Sequence, residues 1–339
     1  MNSEQTINPV RSNPAKRDAD AFSHRTSNGV KTMRDVLIEE IYKKMSQNDR
    51  VFFLSADFGA PALDKLRKDF SDRFINVGIA EQNLINVATG LALENYIVYA
   101  YAIAPFLTMR AYEQIRLNLS VSSQIKPVNV NLIGVGAGVS YDVAGPTHHC
   151  LEDLTLMRLL PNMTVFSPSD WKLVENFIDY SIDKKMPKYL RLDGKPVPGI
   201  YENINDLNIE KGFYELLKGE KICLVSTGYL THRALAVANE LGNVGVVDVF
   251  LLKPLNEELL FDCIKKYDYI ITIEEGFINS GGLDSLVSKI LYDHNSSIKL
   301  KRMGFKDKYV FDLGKRDYLH ELNNLDEKSI IKTIKEFSV

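Results

Sequence analysis

The chain has 339 residues, enough for two domains of ordinary size, and it is 45% hydrophobic and 25% charged, as is usual for a globular protein. Its net charge of −3 argues against a nucleic-acid-binding protein and against a protein of the membrane surface. No apolar run is long enough for a membrane span, the amino terminus has no apolar signal core, and the three cysteines are far apart. These features predict a cytoplasmic protein with reduced thiols.

The amino-terminal stretch is polar, and helical periodicity begins only at Met33. We therefore expect residues 1–30 to form a flexible tail. In residues 31–196, short apolar runs then alternate with stretches of helical periodicity. The predicted strands of this unit are 51–54, 74–77, 96–100, 128–134, 163–167 and 188–192.

Residues 197–219 are polar and irregular, which is typical of a linker. A second alternation of strands and helices occupies residues 220–339, with apolar strands predicted at 222–226, 244–249 and 269–274. Strands that alternate with helices favour parallel pairing, with helices on both faces of the sheet. The sequence therefore predicts an α/β protein of two domains, each a mostly parallel sheet flanked by helices.

A glutamate follows the second predicted strand, in the string Asn-Val-Gly-Ile-Ala-Glu-Gln-Asn at residues 76–83. Taken alone, Glu81 is most simply a first-turn acid that the helix dipole favours. Its context indicates more, because other distinctive strings follow in order. They are Leu-Thr-Met-Arg-Ala-Tyr-Glu-Gln-Ile-Arg at 107–116, Ala-Gly-Pro-Thr-His-His at 144–149, Leu-Lys-Pro-Leu at 252–255, Glu-Glu-Gly at 274–276 and Gly-Gly-Leu at 281–283.

From about Met33 to the end, this ordered set resembles the transketolase family of thiamine diphosphate enzymes. The matching part is the half that carries the pyrimidine-binding domain, here residues 31–196, and the carboxy-terminal domain, here residues 220–339. The resemblance implies that the chain transfers a two-carbon ketol unit from a ketose donor to an acceptor carbonyl.

The resemblance gives Glu81 a catalytic and cofactor-binding role. Thiamine diphosphate reacts at C2 of its thiazolium ring, and its own 4′-imino group removes the C2 proton. A carboxyl hydrogen-bonded to N1′ of the pyrimidine favours that imino form by sharing a proton with the ring nitrogen. An aspartate would be too short for this contact, and a glutamine could not pass the proton.

Other cofactor contacts are expected from the same resemblance. Phe106 is expected to stack on the pyrimidine, with a core phenylalanine as the alternative. Asp57 and Arg110 are also expected near the cofactor, and a turn aspartate at a strand end is the alternative for Asp57. Ile103 stands where the family often has a further aromatic residue, which should alter packing at the ring without abolishing binding.

The expected substrate contacts are His148, His149 and Arg191. His148 corresponds to a family histidine that can donate to a developing alkoxide, so we expect a catalytic role for it. His149 stands where glutamine is common, and its role is open. Arg191 corresponds to an arginine that binds the sugar phosphate, although an ion pair at the surface would explain it equally well.

Three residues depart from the family pattern at positions that contact the sugar phosphate. Ala144, Gly136 and Pro61 replace an aspartate, a histidine and a serine, respectively. Losing such hydrogen bonds costs on the order of 1–3 kcal/mol each. Because Glu81 is retained while the contacts with substrate have changed, we expect an active enzyme with an unusual sugar acceptor.

The chain contains no Gly-Asp-Gly, the motif with which the family binds the diphosphate through Mg²⁺. The resemblance therefore implies a separate N-terminal transketolase subunit that holds the metal, in an α2β2 assembly with sites at the interfaces. Alternatives are the beta subunit of a 2-oxo acid dehydrogenase, a deoxyxylulose phosphate synthase-like enzyme, and a non-catalytic regulatory subunit. The Glu81 string and Thr147-His148 argue against the dehydrogenase, and the retained carboxylate argues against a regulatory subunit.

Overall fold

The structure is a computed structural model that describes residues 29–202 and 207–337. The predicted flexible tail, residues 1–30, lies outside the described residues except for Gly29 and Val30. Of these two, Val30 is the first residue of a short strand. Within the described ranges, no helix has the length and apolar character needed to cross a bilayer.

The first unit alternates strands and helices as predicted. Its strands are β1 (Val30–Lys31), β2 (Val51–Ser55), β3 (Phe74–Asn76), β4 (Ile97–Ile103), β5 (Asn129–Val135), β6 (Thr164–Phe166), β7 (Lys188–Leu192) and β8 (Val197–Pro198). Its α-helices are α1 (Met33–Gln47), α2 (Leu63–Asp69), α3 (Glu81–Leu93), α4 (Asp153–Leu159) and α5 (Trp171–Asp183). A composite helix joins β4 to β5 and consists of Phe106–Arg110, Tyr112–Gln114, Ile115–Val121 and Ser122–Gln124.

The second unit repeats this pattern. Its strands are β9 (Phe213–Leu217), β10 (Ile222–Ser226), β11 (Val244–Val249), β12 (Leu251–Lys253), β13 (Tyr269–Phe277) and β14 (Lys299–Phe305). Its α-helices are α6 (Leu230–Leu241), α7 (Glu257–Ile264), α8 (Leu283–Asp293), α9 (Arg316–Leu322) and α10 (Glu327–Phe337). Two single turns of 3-10 helix, Asp142–Ala144 and Ile209–Lys211, lie in the connections.

The strands form two principal sheets. The large sheet has the order β12-β6-β7-β5-β4-β2-β3, and only β12 runs antiparallel to its neighbour. The second sheet has the order β14-β13-β10-β11-β9, in which only β9 is antiparallel. The prediction of two domains with mostly parallel sheets flanked by helices is confirmed. By sequence β12 belongs to the second unit, yet it completes the sheet of the first.

The stretch predicted as a linker, residues 197–219, contains more structure than its composition indicates. β8 pairs with β1, and β9 pairs with β11 as the outer strand of the second sheet. β9 is an edge strand whose side chains after Phe213 are exposed or partly buried, so it lacks the apolar run that marks the inner strands. The second sheet therefore begins before residue 220.

The large sheet positions the site because its inner strands are parallel. Helices α1 and α5 pack on one face, whereas α3 and the composite helix pack on the other. The carboxyl ends of β2, β3, β4, β5 and β7 all lie at one edge. Ligands of open α/β sheets characteristically bind at this edge, because the connecting loops gather there.

Candidate active site

Glu81 lies at the start of α3 and is buried, with only 3% of its surface exposed. The turn before it needs a glycine at 78, whose φ is +77°. Asn76 shapes this turn, because its Oδ1 accepts a hydrogen bond from the N–H of Gly78 at 3.0 Å. The backbone thus brings the carboxylate to the carboxyl edge of the large sheet, next to the end of β3.

Arg110 is the direct partner of Glu81. Its Nη1 donates to both carboxylate oxygens, at 2.9 Å to Oε1 and 2.8 Å to Oε2. The Arg110 side chain is 48% exposed, whereas that of Glu81 is 4% exposed. The pair therefore lies across the boundary between the interior and an open surface.

Phe106 and His148 complete a cluster around this pair. Phe106 and Arg110 are four residues apart on the composite helix and share one face. The guanidinium lies 4.6 Å above the centre of the Phe106 ring, and the His148 ring meets the same ring edge-on at 5.3 Å. The half-buried Phe106 thus lies between a cation and an imidazole. The structure brings together four of the predicted site residues.

The composite helix presents these side chains through widened turns. Its segments Phe106–Arg110 and Ile115–Val121 are π-helical, a conformation that is rare and frequent at functional sites. Apolar side chains are exposed beside the cluster, with Ile79 77% and Met109 41% accessible. The cluster therefore faces a surface with an apolar margin rather than a closed cavity.

Asp57 lies at the same edge, directly after β2. It adopts a left-handed conformation with φ of +56°, and its side chain is exposed. Asn76 Nδ2 donates to Asp57 Oδ1 at 2.8 Å, and the Asp57 N–H donates to Asn76 Oδ1 at 3.1 Å. The same asparagine thus holds both Asp57 and the turn before Glu81. The sequence alone gave Asn76 no role, although it is part of the Glu81 string.

The two histidines of the loop after β5 have different environments. His148 is half-buried, and its Nδ1 lies 3.0 Å from Thr147 Oγ1, which leaves Nε2 available to a substrate. His149 is buried, and its Nε2 lies 3.3 Å from the carbonyl oxygen of Asp142. Burial lowers the pKa of His149, which favours the neutral ring. The ring of His149 lies in the interior, and its contact with substrate stays a prediction.

Arg191 likewise points inward. Its side chain is 2% exposed, and Nε donates to Asp153 Oδ2 at 2.8 Å. Nη2 donates to the backbone carbonyls of Cys150 and Glu275. The ion pair raises the pKa of Arg191 despite its burial. Arg191 thus forms a buried ion pair, and its contact with a sugar phosphate stays a prediction.

The three departures from the family pattern differ in setting. Ala144 and Pro61 are exposed. At both positions the surface is open and carries an apolar side chain in place of the family's polar one. Gly136 has φ of +105°, and a Cβ there would lie 2.3 Å from Cε2 of Tyr141. The tyrosine ring therefore occupies the space next to position 136, and no side chain fits there without moving it.

The described residues contain no group of three or more metal-ligating side chains placed to hold a metal ion. Within the described chain, the cluster around Glu81 thus offers a carboxylate, an aromatic face and an imidazole, without a metal-binding set. This combination can bind a flat nitrogen heterocycle, through apolar contact with Phe106 and a hydrogen bond to Glu81.

Comparison with known proteins gives concordant results. The chain matches the family models "Transketolase, pyrimidine binding domain" over residues 30–197 and "Transketolase, C-terminal domain" over residues 214–330. It is 37% identical over 269 residues to one of the subunits of the apulose-4-phosphate transketolase of Actinobacillus succinogenes, covering 78% of this chain and 84% of that protein. It is 28% identical over 309 residues to 6-deoxy-6-sulfo-D-fructose transketolase subunit SqwH of a Clostridium species, covering 90% and 94%.

A similar solved structure is described as a split gene transketolase, an inactive beta4 tetramer. It superimposes with a TM-score of 0.80 at 30% identity, covering 90% of this chain and 97% of that chain. In all three comparisons the similarity extends over most of this chain and most of the other protein, so this chain resembles whole subunits.

Proposed function

Because this chain belongs to the transketolase family, we propose that it is one subunit of a thiamine diphosphate-dependent transferase. The enzyme moves a two-carbon ketol unit from a ketose donor to the carbonyl of an unusual sugar. One observation carries the proposal: Glu81, Phe106 and His148 converge on an open edge of the large sheet, as the pyrimidine half of this cofactor requires.

The residues present fit the pyrimidine ring of thiamine diphosphate. Phe106 offers a flat apolar face, and Glu81 offers a buried carboxylate to a ring nitrogen. Exposed Ile79 and Met109 supply an apolar margin to the same surface. When bound, the cofactor supplies a nucleophilic carbon that attacks the donor carbonyl.

The chain's own residues have distinct tasks in this proposal. Glu81 shares a proton with N1′ of the pyrimidine. Arg110, whose Nη1 donates to both carboxylate oxygens, keeps the carboxylate oriented. Phe106 fixes the plane of the ring. His148 donates a hydrogen bond from Nε2 to the substrate oxygen on which negative charge develops. Asp57, exposed at the same edge, lies close enough to face the cofactor or the partner subunit.

We further propose that the diphosphate and Mg²⁺ are held by a separate N-terminal subunit with the Gly-Asp-Gly motif, in an α2β2 assembly. Three facts support a two-chain enzyme. The cluster is open on one side, the described residues offer no metal-binding set, and the matched models comprise only the pyrimidine-binding and carboxy-terminal domains. The description of the split relative as an inactive beta4 tetramer supports inactivity of this chain alone.

An unusual acceptor is supported by the changes at three substrate-contacting positions. Tyr141 fills the space beside Gly136, and Ala144 leaves an apolar methyl group on an exposed turn. Two relatives bear names that specify apulose 4-phosphate and 6-deoxy-6-sulfo-D-fructose, neither of which is an ordinary pentose phosphate. A fructose derivative is a ketose and so would be the donor in ketol transfer, which means that these names support an unusual sugar substrate and do not identify the acceptor. We infer an acceptor that lacks the hydroxyl read by an aspartate, or that carries a bulky group in its place.

Two measurements test the proposal. Ketol transfer should be absent from this chain alone and should appear when the partner subunit is added; substantial activity of the chain alone would contradict the two-chain model.

In the assembled complex, Glu81→Gln should abolish hydrogen–deuterium exchange at C2 of the cofactor while assembly is retained. Glu94→Gln, at the other end of α3, is the matched control and should exchange at the wild-type rate. Wild-type exchange in Glu81→Gln would remove this residue from the mechanism.

A further inference from the structure

Arg316, the first residue of α9, is a buried cation between the two units. Its side chain is 6% exposed. Nη2 donates to Asp193 Oδ2 at 2.6 Å and to Glu275 Oε2 at 2.9 Å, and Nε donates to Glu275 Oε1 at 2.9 Å. Asp193 follows β7 of the first unit, whereas Glu275 belongs to β13 of the second. One guanidinium therefore joins the two units inside the protein.

The loop that carries His148, residues 136–149, rests directly on this cation and its partner; we call it the His148 loop. The backbone N–H of Arg316 donates to Asp142 Oδ2 at 2.8 Å. Glu275 fills the space beside Gly138, where a Cβ would lie only 2.0 Å from Oε2. Gly138 also has φ of +59°, so both space and conformation require glycine there.

Tyr141 anchors the middle of the His148 loop. Its ring lies between Gly136 and Gly194, where added Cβ atoms would approach Cε2 at 2.3 Å and Cε1 at 2.9 Å. Gly194 is the neighbour of Asp193, so the turn that pairs with Arg316 also forms one wall of the tyrosine slot. Lys195, in the same turn, forms an ion pair with Asp142. Several of the side-chain contacts that fix the loop therefore lead to Arg316, beside backbone hydrogen bonds from Gly136 and Ala137 to the carbonyl oxygen of Leu192.

We infer that Arg316 is a positioning residue through which the carboxy-terminal unit fixes the His148 loop and the orientation of His148. Without the guanidinium, Asp193 would be a buried carboxylate that has lost its cation, and Glu275 would keep only His320, whose Nε2 lies 2.6 Å from Oε1. Buried charges that lose their partner are strongly unfavourable, so the turn and the loop must rearrange. The catalytic consequence of this inference rests on the proposed function, but its structural part does not.

Hydrogen exchange followed by mass spectrometry tests the structural part, with the chain assembled with its partner subunit. In Arg316→Ala, the backbone amides of residues 136–149 should exchange at least about tenfold faster than in the wild type, while those of β10 should be unchanged. Arg302→Ala is the matched control, because Arg302 pairs with Asp284 and Ser288 within the second unit and lies outside the cluster of Glu275 and Arg316. It should leave the loop at the wild-type rate.

Two results would overturn the inference: unchanged exchange of the loop in folded Arg316→Ala, or equal acceleration in Arg302→Ala. If Arg316→Ala does not fold, Glu275→Gln takes its place, since it keeps the side-chain shape and removes one charge. Accelerated exchange confined to the loop would then support the role of the pair, and unchanged exchange would refute it.

Steady-state kinetics test the catalytic part. A misplaced His148 should lower kcat of the Arg316→Ala complex by about 10–100-fold. The KM for the ketose donor should change less than about threefold, because ground-state binding is retained. Arg316→Lys should restore part of kcat, since lysine keeps the charge but not the forked geometry. A raised KM with unchanged kcat would overturn the positioning role.

A wild-type complex without any ketol transfer would instead refute the proposed function. The hydrogen-exchange result would still decide whether Arg316 holds the loop. The two failures are therefore distinguishable.

Discussion

Replacing Arg110 by alanine tests the cluster at its most exposed contact. The wild-type guanidinium binds both oxygens of Glu81 and covers Phe106. Arg110→Ala leaves the carboxylate in its buried position without a counter-charge. We expect lower stability of the chain and weaker binding of thiamine diphosphate by the assembled complex.

The contacts of Arg110 with Glu81 and Phe106 set the size of the expected effect on stability. A hydrogen bond to a charged acceptor contributes about 1.5–3 kcal/mol, and an exposed cation–π contact about 0.5–1 kcal/mol. Because the Arg110 side chain is 48% exposed, water screens both interactions. We therefore reduce their sum to about 1–2 kcal/mol in the free energy of unfolding. Cofactor affinity should fall by at most the corresponding factor of about 5–30, through loss of the orientation of Glu81.

The stability effect is measured by urea denaturation and the affinity by titration calorimetry with the complex. Arg116→Ala, an exposed arginine on the same composite helix, is the control and should change stability by less than about 0.5 kcal/mol. A double-mutant cycle with Glu81→Gln should give a coupling energy of about 1 kcal/mol. If Arg110→Ala binds the cofactor as tightly as the wild type or more tightly, Arg110 only blocks the Glu81 carboxylate. That result would refute the role of Arg110 in orienting Glu81.

Two further predictions concern pH and the acceptor. Burial raises the pKa of Asp248 to about 7, above about 3.9 in an unfolded chain, so the folded protein holds this proton more tightly. The associated stability is fully present below about pH 4 and is lost as pH rises towards 7, by at most about 4 kcal/mol. The free energy of unfolding should therefore differ less between pH 5 and pH 8 in Asp248→Asn than in the wild type. An equal difference in the two proteins would contradict the assignment. Ala144→Asp should increase kcat/KM for ribose 5-phosphate about tenfold relative to other acceptors, because it restores one hydrogen bond to a hydroxyl. An unchanged preference would show that position 144 does not select the acceptor.

The fold and the centre of the cluster were predictable from the sequence because both depend on local order. Alternating apolar runs and helical stretches predicted the parallel sheets. The strings around Glu81 and His148 follow strands whose carboxyl ends meet at one edge, so their convergence with Phe106 follows from the parallel topology. The contact of Arg110 with Glu81 was not expected in detail, because it depends on the widened turns of the composite helix.

The burial of His149 and Arg191 could not be predicted, because spacing along the sequence does not reveal it. An arginine after a strand can face solvent or the interior, and Arg191 faces Asp153 inside the protein. The cluster of Glu275 and Arg316 did leave a signal in the sequence. Two consecutive glutamates end the apolar run of β13, and a buried carboxylate needs a cation or several hydrogen-bond donors. That rule would have predicted a buried cation packed against this strand.

The position of β12 has a consequence for how such a protein can be recombined. Leu251 and Lys253 pair with β6, so the second unit supplies the outermost strand of the first unit's sheet. A chimaera that combines the first unit of one homologue with the second unit of another, joined between residues 199 and 212, would receive β12 from the second parent. The side chains of this strand would then have to match those of β6 from the first parent. A junction placed just after Lys253 would keep that sheet intact but would divide the second sheet between two parents. Exchange of halves between homologous subunits therefore has no neutral crossover point in this region, which favours inheritance of the two units together.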